Sequence, residues 1–294
     1  MIFPYVSIIL SGCLWGCTGI VFKFLQPFGF TSVQAATYRQ LIATILIGLV
    51  LLIKNRYSFR VTFQQLIPLF LAGGVGSGIH NLTYFMAVSE TSVSFASALS
   101  YTAPAFVTVF SLFLFHEKMT AQKAVALFLS VMGCILVTGV LQSVGTHYST
   151  KGILLGLIAG FSYSLYSVFL KMAILKGCPA ETTSFYCLFF AFVVVVPFSH
   201  LIKTFPLFAK PLSVPLVFVL GAMCAAVPSL SYSWGMTRVE SSKAAMIATV
   251  DLVVATVLGV ALFNDPLTCL QLIGVALIFS SVLLLAYKKG EKGL

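Results

Sequence analysis

The chain has 294 residues, 60% of them hydrophobic and 8% charged, with a mean hydropathy of +1.06. A soluble domain is ordinarily about one quarter charged, so this composition excludes a water-soluble fold and points to a polytopic membrane protein. The net charge of +10 sits in short loops between apolar runs, where it reports orientation and contact with anionic headgroups rather than nucleic acid.

Crossing the hydrocarbon core takes about 20 apolar residues. Ten such runs follow one another, at 3–24, 32–53, 65–88, 92–115, 121–141, 152–173, 181–202, 213–236, 241–263 and 267–287. The first begins MIFPYVSIILSGC, without Lys or Arg, and is a poor signal peptide. LSGC resembles a lipoprotein cleavage box, but the apolar run continues to Phe24 and reads as a first helix. It carries Gly12 and Gly16, a small-xxx-small pair for close helix contact, and Trp15. Cys13 and Cys17 share one face and, like the other five cysteines, read as small packing residues.

The second run carries Arg39 about two turns from its start. An ionisable group at this depth faces the bundle interior or water. Arg39 either neutralises a solute carboxylate or pairs structurally with an acid. The third run contains GGVGSG at 73–78, which lacks the Lys and strand of a phosphate loop and reads as helix packing. GIHNLTYFMAV at 78–88 follows. Helical spacing puts His80, Asn81 and Tyr84 in one polar stripe, which in lipid must face other helices or an aqueous cavity. His80 is either a ligand or proton carrier, or a histidine hydrogen-bonded in the core.

The fourth run contains Tyr101 and, in YTAP, Pro104. The sixth has Gly156, Gly160, Tyr163 and Tyr166. Pro197 interrupts the seventh. The eighth holds Pro228, Ser229 and Tyr232 in a second polar stripe, and Trp234 near its end, an interface anchor. Trp15, Tyr101, Tyr163 and Tyr166 either pack a solute or fill the core. Pro104 and Pro228 remove backbone donors beside the expected cavity and are hinge candidates. Asp251, in the ninth run, binds a proton, a cation or a solute ammonium, or else pairs with Arg39.

Shifting the sequence by 148 aligns the first five runs with the last five without a gap. Gly12 meets Gly160, Lys23 meets Lys171, Gly29 meets Gly177, and Tyr84 meets Tyr232. Trp15 meets Tyr163. Residues 1–147 and 148–294 therefore read as two copies of a five-helix unit. Five is odd, so the second copy is inverted in the membrane. With a cytoplasmic N-terminus, one face collects Lys54, Arg56, Arg60, Lys118, Lys123, Lys171, Lys176, Arg238, Lys243, Lys288, Lys289 and Lys292. The other has Lys23, Lys151, Lys203 and Lys210. The positive-inside rule places both termini in the cytoplasm of the plasma or inner membrane. Inverted repeats suit carriers that open a midplane site to each side in turn.

The chain also resembles the EamA family of the drug/metabolite transporter superfamily. The residues that carry this are LWG at 14–16, TYRQ at 37–40, and NLTYFMAVSETSVSFASALSYTAPAFVTVFSLFLFHEKMT at 81–120. A weaker match is ATVDLVVATVLGVALFNDPLT at 248–268. The resemblance implies ten helices in a five-plus-five inverted arrangement, a central cavity, and transport, often export, of small metabolites such as amino acids. Leu252 stands where the family often has Pro, which implies a straighter ninth helix than fourth. Asp265 stands where it often has Glu.

The expected function is an all-α secondary transporter working by alternating access on a small organic solute, an amino acid or amine, with export favoured. Uptake of a cationic solute such as a quaternary amine is the alternative. Proton coupling and exchange both stay open, as does the oligomeric state. No Walker motif points to ATP, and no cofactor or metal-ligand spacing is present. A membrane-embedded enzyme is disfavoured, since HExxH, GxSxG and paired-carboxylate motifs are all missing.

Overall fold

The computed structural model describes residues 3–55, 59–143, 149–263 and 268–286. Arg56, Asp265, Lys288, Lys289 and Lys292, which carry readings above, fall outside them. The described residues form helices without strands. Nine are long and apolar enough to span a membrane: α1 (Phe3–Phe28), α2 (Ser32–Lys54), α3 (Phe63–Glu90), α4 (Phe95–Leu114, its first turn beginning at Val93), α6 (Thr150–Leu175), α7 (Ala180–Ser199), α8 (Ser213–Met236), α9 (Ser241–Phe263) and α10 (Cys269–Ala286). The fifth apolar run forms a shorter helix of 17 residues, α5 (Ala121–Val137).

Local interruptions recur at the same 148-residue spacing. Gly29 and Gly177 take positive φ, 97° and 80°, after α1 and α6, which only glycine does cheaply. In α3 the backbone passes through a π-helical stretch, Leu71–Ile79, before His80; in α8 the stretch is Ala222–Ala226, before Val227 and Pro228. Helix α4 breaks at Tyr101–Thr102, and α9 breaks at Thr249.

The ninth helix, expected to be the straighter, is also interrupted although it lacks the proline, and for an identifiable reason. Pro104 has no N–H to satisfy, whereas its counterpart Leu252 has one. That N–H is taken by Thr249 O at 3.1 Å and by Asp251 Oδ1 at 2.6 Å. A side-chain acceptor thus does for α9 what a missing donor does for α4. One interruption has no counterpart: α1 changes segment at Cys17, while α6 runs unbroken.

Packing follows the repeat. Helix α1 lies on α8 and α9, and α6 lies on α3 and α4; α2 pairs with α7, and α5 with α10. Glycines make the closest of these approaches. A Cβ on Gly12 would stand 2.9 Å from Ala248 O, and one on Gly160 would stand 2.7 Å from Leu99 O and 3.2 Å from Ser100 O. Small residues therefore seat α1 and α6 against the breaks of α9 and α4. A Cβ on Gly76, within GGVGSG, would stand 2.5 Å from Tyr166 N, so that stretch packs helices as expected.

The repeat is broken in one contact. The first half of α9, Ser241–Ala248, packs on the second half of α4 and on α5. Its counterpart Val93–Ser100 does not pack to a like extent on Val250–Phe263 or α10. Ser241–Ala248 is thus gathered against α4 and α5 in a way that Val93–Ser100 is not against its own mates.

Candidate functional site: a central chamber and a charged clasp

Between the breaks of α4 and α9 lies a small chamber, with room for about one water (≈ 10 Å³ of water-centre volume). Tyr101, Pro104, Tyr163, Ser167, Tyr232, Thr249 and Asp251 line it. Tyr101 Oη donates to Asp251 Oδ1 at 3.2 Å, across the chamber. Because Oδ1 takes both this bond and the Leu252 N–H, Oδ2 is left to the chamber.

A ladder of rings runs from the chamber. Trp15 and Tyr232 have centroids 5.1 Å apart, Tyr232 and Tyr166 6.1 Å, Tyr166 and Tyr163 6.3 Å, Tyr163 and His80 4.9 Å, and His80 and Tyr84 5.9 Å. Tyr166 and Tyr163 are stacked within 2° of parallel. Two of the rings are pinned: Tyr232 shares a 2.9 Å bond with Ser167, and Tyr84, at the far end, shares one with Ser97. His80 is held through Nδ1 by Ala159 O at 3.0 Å. Six rings from α1, α3, α6 and α8 thus meet around one axis.

Most of the residues singled out in the sequence are therefore neighbours. Two already hold hydrogen bonds within the wall. Asn81 is 8% exposed, and its Nδ2 donates to Ser77 O at 2.7 Å within its own helix. Ser229 is 5% exposed; its carbonyl accepts from Ser184 Oγ at 3.0 Å, and its side chain lies beside the Tyr166 hydroxyl. Both support the ring wall. Pro104 sits in the first turn after the α4 break, where Pro costs no helical bond; Pro228 follows the π-helical stretch inside the continuous helix α8.

Arg39 and Asp251 are not paired. Asp251 bonds to Tyr101 and to its neighbouring backbone. The Arg39 Nε is buried without a hydrogen-bond partner, and its guanidinium makes no ion pair among the described residues. Tyr163, Tyr166, Cys224 and His80 are the groups within its electrostatic reach, so it faces the interior.

A second site was not legible as such. Glu117, at the end of the α4 run, accepts from Lys123 Nζ at 3.0 Å and, through Oε1, from Ser241 N at 2.9 Å; Ser242 Oγ also donates to it. A carboxylate here satisfies an orphan donor at the start of α9 and complements its dipole. Lys123 also pairs with Glu240 at 3.1 Å, and Glu240 with Lys243 at 2.8 Å. Lys171 ties down the turn after α8 through Met236 O and Val239 O. Sequence reading took Lys123 for a headgroup charge; its side chain is 3% exposed and that of Glu117 6%. This clasp floors an open pocket of about 570 Å³ that also takes in Lys118 and Arg238. Two helices line both spaces: α6 through Ser167 then Lys171, and α9 through Ala245 then Lys243; α4 lines the chamber, and Phe115–Lys118, just past its end, line the open pocket. The clasp stands between them.

The model of the EamA-like transporter family matches the chain twice, over residues 2–139 and 150–287. A protein of Archaeoglobus fulgidus named only as an uncharacterized transporter is 31% identical over 204 residues, covering 69% of this chain and 70% of its own. The transporter YwfM of Bacillus subtilis, also uncharacterized, is 24% identical and covers 95% and 92%. A WAT1-related protein of Arabidopsis thaliana is 23% identical, covering 92% and 85%. One crystal structure superposes with a TM-score of 0.78 over 96% of this chain and 95% of that one; at 18% identity it shows the shared fold alone.

Proposed function

The chain belongs to the EamA-like transporter family of the drug/metabolite transporter superfamily, and on that premise we propose a secondary carrier for a small organic solute, working by alternating access. It is a membrane transporter, the class its relatives carry in their names. In this reading ten helices cross the membrane as two inverted copies, 1–147 and 148–294, with both termini cytoplasmic. The solute is an amino acid or amine, export is the favoured direction, and Asp251 or exchange supplies the coupling.

The observation that carries the reading is the unequal closure. Elements spaced by 148 residues adopt the same local breaks, yet the first half of α9 closes on α4 and α5 while its counterpart in α4 does not close on its own mates. A carrier with two interchangeable halves needs this kind of asymmetry. The clasp groups its cations, Lys118, Lys123, Lys171, Arg238 and Lys243, at the end that the positive-inside rule assigns to the cytoplasm. The chamber behind it combines rings, hydroxyls and one carboxylate, which suits a solute with an apolar body and a polar head.

Counterflow in proteoliposomes, with a panel of labelled amino acids and amines, tests this. Accumulation of label driven only by trapped unlabelled solute is the expected result. A panel that gives no counterflow, while the purified protein turns a solute into product, overturns it.

A further inference from the structure

The open pocket at the clasp holds more positive charge than its acids balance. Five cations line it, Lys118, Lys123, Lys171, Arg238 and Lys243, against two acids, Glu117 and Glu240. Both acids are committed. Glu117 accepts from Lys123 Nζ, Ser241 N and Ser242 Oγ, and Glu240 pairs with Lys123 and Lys243. Lys171 Nζ bonds carbonyls, Met236 O at 2.5 Å and Val239 O at 2.8 Å, so its charge meets no carboxylate there. Lys118 and Arg238 are exposed, and their side chains make no hydrogen bond or ion pair among the described residues.

These two unspent charges come from opposite sides of the clasp. Lys118 follows Glu117 in the link from α4 to α5, and Arg238 lies in the turn from α8 to α9, beside Ser241. Both backbones are tied down. Lys171 holds the turn through carbonyls on either side of Arg238. In the link, Glu117 N bonds Ser111 O at 3.2 Å, after His116 turns the chain with a left-handed φ of 51°.

We propose that this pocket binds a phosphate-bearing anion, gripped by Lys118 from one side of the clasp and Arg238 from the other, which holds the clasp shut. A phosphate monoester carries close to two negative charges near neutral pH and presents three acceptor oxygens. The guanidinium takes two of them as a fork, and the ammonium meets another as a point charge. A carboxylate, with one charge, matches the surplus less well. The pocket's volume of about 570 Å³ suits a small organic ligand, and Phe115, Leu175 and Val239 offer apolar wall to its body. An anion that spans the closed clasp binds that state better than an open one and so favours it. The phosphate belongs to a soluble ester or to a lipid headgroup; its chemistry in the pocket is the same. The site stands on the pocket alone, whereas its hold on transport rests on the carrier reading.

The test melts full-length protein in phosphatidylcholine nanodiscs with and without millimolar glycerol phosphate, the ionic strength being matched with chloride. The ester should raise the melting temperature by roughly 2–4 °C. The double variant Lys118→Gln/Arg238→Gln should melt like the parent without ligand and show no rise. Lys54→Gln/Lys210→Gln removes the same charge outside the pocket and should keep the rise. Nanodiscs containing phosphatidic acid separate the two sources. A lipid-held phosphate stabilises the parent without added ester, through the same two residues; a rise with the ester alone assigns a soluble ligand. No rise in either arm, or a rise that survives in Lys118→Gln/Arg238→Gln, overturns the site. Counterflow in phosphatidylcholine vesicles should slow roughly twofold or more when the ligand that binds is present on the clasp face; an unchanged rate overturns the lock. Vesicles without counterflow even in the absence of phosphate count against the carrier reading instead, and the melting data alone then decide the site.

Discussion

Tyr101 Oη and Asp251 Oδ1 meet at 3.2 Å across the central chamber, joining the break of α4 to the break of α9. The same oxygen takes the Leu252 N–H, so one carboxylate both holds a broken helix and faces the proposed solute path.

That double use makes Asp251→Asn informative. Asparagine keeps an oxygen acceptor for Tyr101 and Leu252 but loses the charge. With no ion pair to Arg39 to break, the melting temperature should change little, while solute exchange loses its dependence on pH. A poorly folded variant rescued by neutralising Arg39 would show that the two charges do pair in the membrane.

The glycine contacts give a sharper steric test. A Cβ at Gly16 would lie 2.4 Å from Asp251 O and 2.9 Å from Val254 Cβ, so α1 would have to withdraw from the α9 break. Gly16→Ala should cost about 1–3 kcal/mol, as overpacking does, and abolish counterflow. Gly19 has nothing within 4 Å, and Gly19→Ala should be neutral or gain up to about 1 kcal/mol. Equal thermal shifts for the two would contradict the packing described.

Breaking the clasp should open its end of the bundle. Glu117→Gln leaves Lys123 with only the half-exposed Glu240, and disrupting a buried pair typically costs about 3–5 kcal/mol. A cysteine placed at Ser167, between chamber and clasp, should then react faster with an impermeant reagent supplied from the clasp side. An unchanged labelling rate would mean that the clasp does not gate access.

Acid should loosen the same contact. Burial pushes the Glu240 carboxyl up, but its pairs with Lys243 and Lys123 outweigh this and hold it below the usual carboxylate value. The stabilisation is therefore fully present above the ordinary glutamate range, near pH 4.3, and is lost as pH falls through the depressed value. Labelling at Ser167→Cys, taken relative to an exposed control cysteine at the same pH because only the thiolate reacts, should rise only at that acid end, and Glu240→Gln should raise it at neutral pH. A rise between pH 6 and 8 would assign the closure to another group.

Much of this was legible in the residues because lipid makes periodicity decisive. The helices, the 148-residue register and the meeting of Trp15, His80, Tyr84, Tyr163, Tyr166 and Tyr232 follow from apolar runs and from where polar groups can point. The bond from Asn81 to Ser77 O was not legible, because a stripe position does not show that a side chain bonds its own turn. The break at Thr249 was missed because the signal sought was a proline, whereas Asp251 satisfies the Leu252 N–H instead. The clasp was invisible because Glu117 and Ser241 are 124 positions apart, and charges in short loops read first as orientation signals.

The central claim is that the chamber opens to both sides of the membrane in turn. Ala245 lines it, so Ala245→Cys in a cysteine-free chain that retains counterflow gives the direct measurement. In sealed vesicles of known orientation, an impermeant thiol reagent is applied to one face and then, separately, to the other. The account predicts modification from both faces, slowed from both by a transported solute, with the clasp face accelerated by Glu117→Gln. Modification from a single face, whatever solute or clasp variant is present, would contradict it.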